Sequence, residues 1–288
     1  MSVDKLQDRI RKLKNPSVIE LNITKEQIPQ FLMEQEGSFI AACGKFCRET
    51  LYALKEIVPA VRFSYGYYAI FGTEGVTLLH ELLDVAKHCG YYVLLDTFEL
   101  LSASAATQAA GMAFALPADG YIVTLYSGAD AIKPYVDLLQ KTGKSVFVNI
   151  RTPNKSASQI QDLMTGTRLV YMAAADVVNR SGENLIGRSG YSLVAGVVAA
   201  NSVDSLKSVR NKHKKMFLMV DGYDYSNANA KNCSLAFDQL GHGAIVCAGS
   251  GVVAAWLDEE VDCRNYVEST VRAATRMKKN ITRYVTIL

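Results

Sequence analysis

The chain has 288 residues, of which 49% are hydrophobic and 20% are charged, so it is long enough to bury one large core. Its net charge is +3, and Lys and Arg are scattered among Asp and Glu, which excludes a continuous basic surface. We therefore expect a globular protein that binds neither nucleic acid nor an anionic membrane.

The first predicted element is a charged amphipathic helix at the N-terminus, in the run Met-Ser-Val-Asp-Lys-Leu-Gln-Asp-Arg-Ile. No uninterrupted apolar run in the sequence reaches the roughly 18 residues that a membrane-spanning helix needs. These features predict a soluble protein of the cytoplasm.

Eight short β-rich runs follow, and a helical pattern comes after each of them. Several runs, such as Val-Phe-Val-Asn-Ile, are apolar at nearly every position, as expected of parallel strands covered on both faces. Eight such units predict an α/β fold, a (β/α)8 TIM barrel that forms a single domain over residues 1–288 with an N-terminal helix. The predicted strands are 17–23, 59–64, 91–96, 120–125, 145–151, 193–198, 216–220 and 244–247.

The cysteines and histidines do not indicate a metal site. The six cysteines lack CxxC spacing and lie in apolar segments, so we expect them to be reduced and buried. Cys43 and Cys47 could share a helix face, but a zinc site needs two more ligands and no His is near them in sequence. The four histidines fall on predicted helices or in a loop, where surface or packing roles are expected. We predict no metal and no cofactor.

In a barrel of this class, functional residues lie at the carboxyl ends of the strands. Arg is a poor general acid near neutral pH because it keeps its proton with a pKa above roughly 12. Ser250 lacks an obvious His partner, and Cys247 is the one thiol at a predicted strand end. The predicted strand-end residues are Asn22, Arg62, Asp96, Thr124, Arg151, Thr152, Ala199, Asp221 and Ser250.

Ordered motifs along nearly the whole chain carry a family resemblance. They include Val-Pro-Ala-Val-Arg at 58–62, Phe-Gly-x-Glu-Gly at 71–75, Arg-Thr-Pro-Asn at 151–154 and Gly-Ala-Ile-Val at 243–246. These motifs resemble those of the orotidine 5'-phosphate decarboxylase family, most of all its longer bacterial subfamily. The resemblance implies a homodimeric TIM barrel and, in an active member, a carboxy-lyase of pyrimidine biosynthesis that converts orotidine 5'-phosphate to uridine 5'-phosphate.

The departures from the family pattern fall on its working residues. The family's Asp-x-Lys-x-x-Asp segment aligns with residues 96–101, where Asp96 remains but Phe98 replaces the Lys that protonates the carbanion. Leu101 replaces the second Asp, which the family supplies across the dimer. The family's first-strand Asp, a ribose contact, aligns with Asn22, and its second-strand Lys aligns with Arg62.

The family's substrate-binding elements differ as well. The Ser that reads the pyrimidine amide becomes Pro153, and the phosphate loop becomes Asp-Gly-Tyr-Asp-Tyr-Ser-Asn-Ala at 221–228, with two carboxylates. The phosphate-binding Arg becomes Ser250, although its glycine neighbours could offer backbone donors to an anion. The ligand-binding candidates are Asn22, Arg62, Asp96, Thr124, Arg151, Thr152, Asp221, Tyr223, Ser226, Gly249, Ser250 and Gly251.

Two classes of function remain open on the sequence. The first is a noncatalytic barrel that acts through binding, as a homodimeric regulator, a scaffold or a partner of an active paralogue. The second is an enzyme, either an active orotidine 5'-phosphate decarboxylase or a barrel recruited to other chemistry with Arg62, Asp96, Arg151 and Asp221. The first is favoured because losing the Lys, a carboxylate and the phosphate clamp together should leave no useful rate.

Three further expectations can be compared with a structure. Arg62 and Asp96 should form a charge pair on the floor of the pocket. The dimer should form through the loop side of strands two to four. The carboxylates of Asp221 and Asp224 argue against a bound phosphate and leave a small cationic or neutral polar ligand open.

Overall fold

The computed structural model describes residues 2–97, 103–224, 228–258 and 262–288. Its strands are β1 Ser17–Glu20, β2 Ala60–Ser64, β3 Tyr92–Asp96, β4 Gly120–Thr124, β5 Ser145–Arg151, β6 Met164–Thr165, β7 Arg168–Leu169, β8 Val194–Ala199, β9 Leu218–Asp221 and β10 Ala244–Ala248. Eight of them close into a parallel barrel in the order β1-β10-β9-β8-β5-β4-β3-β2, and β6 pairs with β7 as an antiparallel hairpin.

One helix precedes the first barrel strand, and further helices follow the strands along the chain. The helices are α1 Ser2–Leu13, α2 Gln30–Glu36, α3 Phe39–Leu54, α4 Tyr65–Ala69, α5 Gly72–His88, α6 Ala103–Ala115, α7 Lys133–Thr142, α8 Ser158–Gln161, α9 Val170–Gly182, α10 Val203–Lys212, α11 Ala230–Cys233, α12 Ser250–Val253 and α13 Tyr266–Thr282. Short 3-10 segments lie at Lys25–Gln27, Ala129–Ala131, Lys155–Ala157, Ser234–Ala236, Ala255–Leu257 and Cys263–Asn265.

The predicted (β/α)8 barrel is confirmed, and each of the eight predicted runs overlaps one barrel strand. The strands are buried along most of their length because the barrel interior covers one face and the outer helices cover the other. The largest difference is in the first strand, which was predicted to reach residue 23 and ends at Glu20. Asn22 therefore lies in the loop that follows β1.

The predicted N-terminal helix is α1, and it covers the amino end of the barrel. Its apolar face buries Val3, Leu6 and Ile10 completely. At its start, the hydroxyl of Ser2 donates to the hydroxyl of Tyr92, at the beginning of β3, over 2.8 Å. Because α1 occupies this end, the accessible end of the barrel is the one formed by the carboxyl ends of the strands.

All six cysteines are free thiols. Four are buried as expected, but the expectation is wrong for Cys89 and Cys263, which are partly exposed because they lie at a helix end and in a short 3-10 segment. Within the described ranges, no helix is long and apolar enough to cross a membrane.

Candidate functional site at the barrel mouth

Arg62, on β2, lies at the centre of a cluster of charged side chains at the carboxyl end of the barrel. Its Nη2 and Nε donate to Oδ2 of Asp96, on β3, over 2.6 Å and 3.1 Å. Its Nη1 donates to Oδ1 of Asp221, the last residue of β9, over 2.8 Å. The predicted pair of Arg62 and Asp96 is confirmed, and Asp221 is a second carboxylate on the same guanidinium.

Glu20 adds a third carboxylate from the end of β1. It lies opposite Arg62 in the parallel pairing of β1 with β2, and its Oε1 is 4.0 Å from Nε of Arg62. The amide of Asn22 donates to this Oε1 over 2.5 Å, while its own oxygen accepts from the backbone N–H of Ser64 over 2.9 Å. Asn22 therefore connects the loop after β1 to the end of β2 and orients Glu20.

Burial sets the electrostatics of this cluster. It raises the pKa of Glu20 and of Asp96, and the positive charge of Arg62 offsets this effect only in part. For Arg62, burial lowers the pKa, but the surrounding carboxylates outweigh it and hold the pKa well above the usual value. Burial also raises the pKa of the Cys247 thiol, whose Sγ lies 3.8 Å from Nη1 of Arg62. The cluster thus contains a permanent cation and a thiol that stays protonated at neutral pH.

Asp224, shortly after β9, binds the glycine-rich turn that follows β10. Its Oδ2 accepts from the backbone N–H groups of Gly249 over 2.5 Å and Gly251 over 3.2 Å. Burial raises the pKa of Asp224, and these two donors lower it in part. A Cβ at position 251 would lie 2.6 Å from Oδ1 of Asp224, so glycine is what allows the approach. The backbone donors predicted for an anion are therefore engaged by a carboxylate of the chain itself.

These residues surround a cavity of about 560 Å³ at the carboxyl ends of the strands. Arg62 is the cation in its described lining, and neutral hydrogen-bonding side chains complete the polar surface. The charged, amide and hydroxyl side chains of this lining are Glu20, Asn22, Gln27, Arg62, Asp221, Asp224 and Ser250.

Arg151 and Thr152 lie outside the described lining of this cavity. The guanidinium of Arg151 donates through Nε and Nη2 to the carboxylate of Asp162 over 3.1 Å and 3.0 Å. Its Nη1 donates to the side-chain oxygen of Gln161, which also accepts from the backbone N–H of Thr152. Both residues thus stabilise the loop after β5, and Arg151 is not brought together with Arg62 in the cluster.

The remaining candidates are placed as follows. Thr124 ends β4 and does not contribute to the described lining of the cavity. Tyr223 is partly buried against the core, and its backbone N–H donates to the carbonyl oxygen of Cys247 over 3.0 Å. Phe98, Leu101 and Ser226 lie outside the described residues.

Glu20 is the site residue that the sequence analysis missed, and Asp224 was considered there without being placed among the ligand-binding candidates. The signal for Glu20 was present, because it is the first charged residue of the apolar run at 17–23. For Asp224, the signal was a carboxylate in a loop aligned with a phosphate-binding segment. In the part of the chain that the structure describes, no group of three or more His, Cys, Asp or Glu side chains could hold a metal ion.

Comparisons with known proteins give a consistent set of relatives. No protein-family model matches the chain. The curated orotidine 5'-phosphate decarboxylase of Clostridium acetobutylicum is 28% identical over 284 residues, which cover 98% of this chain and 99% of that protein. The one from Petrotoga mobilis is 25% identical over 285 residues and 98% of each chain.

Solved structures show the same barrel. Orotidine 5'-monophosphate decarboxylase from Plasmodium berghei has a TM-score of 0.78 at 16% identity, with 98% of this chain and 99% of that chain covered. The enzyme from Leishmania donovani has a TM-score of 0.73 at 21% identity, with 98% of each chain covered. At these identities the structures establish the fold, whereas the curated relatives match in sequence from end to end. The chain is therefore similar in sequence to curated orotidine 5'-phosphate decarboxylases over nearly its whole length.

Proposed function

We propose that the protein is a noncatalytic barrel of this family, which acts by binding a small ligand at the barrel mouth and does not decarboxylate orotidine 5'-phosphate. The observation that carries the proposal is the state of Arg62. Each of its three guanidinium nitrogens donates to a carboxylate, from Asp96 or Asp221. The positive charge of Arg62 is therefore paired with carboxylates of the protein itself and not with a ligand.

Decarboxylation leaves a carbanion that must be stabilised by positive charge and then protonated. Arg62 supplies charge but holds its proton, because the neighbouring carboxylates raise its pKa well above the usual value. A protonated Glu20 could supply a proton but no positive charge. Among the described lining residues, none combines the two properties, and losing one preorganised donor of a catalytic set costs about 3 kcal/mol in the barrier.

The turn at 249–251 supports the proposal independently. The N–H groups of Gly249 and Gly251 already bind the carboxylate of Asp224. A phosphate dianion would have to displace this carboxylate and would lie close to Asp221 as well. Like charges at this separation disfavour each other in a partly buried site.

The deciding experiment is a decarboxylation assay with orotidine 5'-phosphate. The protein should be purified from a host whose own decarboxylase gene is deleted, so that contaminating activity is excluded. We expect no uridine 5'-phosphate above the background of a mock purification. Product that forms at a rate proportional to the concentration of this protein would contradict the proposal.

The alternative is an active orotidine 5'-phosphate decarboxylase. One observation favours it, because curated proteins with that name match 98% of this chain. The same assay separates the two candidates, and turnover by the purified chain would establish the alternative.

We also propose a homodimer formed through the loop side of strands two to four, in a cytoplasmic protein that regulates or accompanies an active paralogue. Two large apolar side chains near this side of the barrel are exposed, Ile70 to 71% after β2 and Tyr126 to 40% after β4. Light scattering at micromolar concentration should give the mass of two chains. A measured mass of one chain would contradict the proposed dimer.

A further inference from the structure

We propose that the barrel-mouth cavity binds a small organic cation that carries a primary ammonium or guanidinium group. This inference rests on the proposed function, since it names the ligand class of the same site. The cavity defines where the ligand lies, and its hydrogen-bonding groups and charges define what the ligand must offer.

The donors around the cavity are largely engaged within the protein. All three nitrogens of the Arg62 guanidinium donate to Asp96 or Asp221. The backbone N–H groups of Gly249, which lines the cavity, and of Gly251 donate to Asp224. A ligand rich in acceptors, such as a phosphate ester, would find few free partners here, and the free capacity of the cavity consists mainly of acceptors.

Glu20, in the described lining, is paired with Arg62 only at the limit of ion-pair distance. Its Oε1 is 4.0 Å from Nε of Arg62, beyond hydrogen-bond distance, and it accepts from the neutral amide of Asn22 over 2.5 Å. Its Oε2 lies beside Gly249 at the cavity lining, 3.3 Å from the place where a Cβ of that residue would be. Burial raises the pKa of Glu20, and Arg62 supplies only part of the counter-charge that would offset it. A ligand cation beside Oε2 would supply the rest.

The charge balance of the site points in the same direction. The described lining contains three carboxylates and one cation, the guanidinium of Arg62, and Asp96 adds a fourth carboxylate in contact with that guanidinium. The segments outside the described residues contain Glu99, Glu259 and Glu260 but no Lys or Arg, so their sequence supplies no further cation. The site stays negative even when one carboxyl group is protonated, and a negative cleft concentrates cations.

The dimensions suit an organic ligand. A volume of about 560 Å³ lies within the range of small-molecule sites, which runs from roughly 300 to 1,000 Å³. The amide of Gln27 and the hydroxyl of Ser250 add neutral hydrogen-bonding groups. A bare divalent ion fits less well, because two of the carboxylates are held by Arg62 and no group suitable for a metal occurs among the described residues.

Titration calorimetry with agmatine and putrescine tests the inference, with uridine 5'-monophosphate and Mg²⁺ as competing probes at constant ionic strength. We expect both amines to bind saturably, and neither competing probe to do so. Glu20→Gln keeps the shape of the side chain but removes its charge. It should raise the dissociation constant for the amines about tenfold to a hundredfold. Glu183→Gln, on the exposed end of α9, is the matched control and should change nothing.

A second variant guards against a folding defect in Glu20→Gln. Ser250 is exposed, so Ser250→Arg should fold, place a positive charge at the cavity and abolish amine binding. The inference is overturned if neither amine binds up to about 10 mM, if both variants bind as the parent does, or if only the nucleotide or Mg²⁺ binds. Because decarboxylation is assayed separately, an inactive chain that binds no amine would refute this inference alone, and turnover would refute the proposed function.

Discussion

At the scale of single residues, Arg62 determines the floor of the cavity. Its side chain is 11% exposed, and it is charged because the carboxylates of Asp96 and Asp221 compensate for lost hydration. The two carboxylates do not contribute equally, because Asp96 contacts two guanidinium nitrogens and Asp221 contacts one. Removing Asp96 should therefore be the more costly of the two changes.

We predict that Asp96→Ala lowers the free energy of unfolding by about 3 kcal/mol, because it leaves a buried guanidinium with an incomplete set of partners. Chemical denaturation at neutral pH measures this. Asp137→Ala is the control, since it breaks an ion pair with Lys133 in which the side chains are 57% and 68% exposed. Such a pair contributes about 0.5 kcal/mol or less. Equal midpoints for Asp96→Ala and the parent would show that the pair does not stabilise the fold.

Replacing Glu20 should raise the free energy of unfolding, whereas replacing Asp96 lowers it, and the gain should depend on pH. Burial raises its pKa in the folded state, so ionised Glu20 disfavours folding above the folded pKa. Below the unfolded pKa, near 4, the group is protonated in both states and the cost disappears. Glu20→Gln should therefore stabilise the protein at pH 7, and the gain should vanish as the pH falls toward 4. A gain that is the same at both pH values, measured relative to Glu183→Gln, would rule out this origin.

At the scale of elements, α4 and α5 meet without space for a side chain at Gly75. A Cβ there would lie 2.1 Å from the carbonyl oxygen of Tyr68 and 2.8 Å from Cβ of Phe71. Tyr68 in turn donates through its hydroxyl to the carbonyl oxygen of Leu21 over 2.6 Å. The position of α5 is thus coupled to the loop that follows β1.

Gly75→Ala should destabilise the protein by about 1 to 3 kcal/mol, because one of the two helices must shift. Gly111→Ala in α6 makes the same chemical change where no atom lies within 4 Å of the new Cβ. That control should stabilise the protein by up to about 1 kcal/mol, since alanine favours a helix over glycine. The midpoint of thermal unfolding should be measured for both variants. A similar change of midpoint in both would refute the packing argument.

The extent of each strand was less predictable than its existence. Apolar runs located all eight barrel strands, because strands buried on both faces need such runs. The end of β1 was placed too far along because Leu21 and Ile23 are fully buried although they lie beyond the strand. Hydrophobicity reports burial and not pairing, so Glu20 was read as interior to the strand and its place in the site was missed. Contacts such as that of Asp224 with the turn at 249–251 depend on loop geometry, which has no periodic sequence signal.

At the scale of the whole molecule, we propose that residues 1–288 unfold as one domain. The helix α1 contacts the amino ends of strands that are distant in sequence, and Trp256 Nε1 donates to the carbonyl oxygen of Gln27 over 3.1 Å at the opposite end of the barrel. The chain has a single Trp, so its fluorescence reports this end. Fluorescence and far-ultraviolet circular dichroism should give coincident unfolding midpoints, and separate midpoints would indicate independent units.

In a barrel enzyme, activity also depends on the whole molecule, because catalytic residues come from the ends of several strands. We predict that Phe98→Lys alone produces no decarboxylation, although the resemblance places the catalytic Lys at this position. The same resemblance places the family's phosphate-binding Arg at Ser250, and each charge-assisted hydrogen bond lost with such an exchange weakens binding by about 1.5 to 3 kcal/mol. Asp224 still engages the N–H groups of Gly249 and Gly251, and a new Lys does not release them. The assay is uridine 5'-phosphate formation by the purified variant, with Phe98→Leu as the control. Turnover by Phe98→Lys above this control would show that the binding site is intact and that one residue separates the chain from an enzyme.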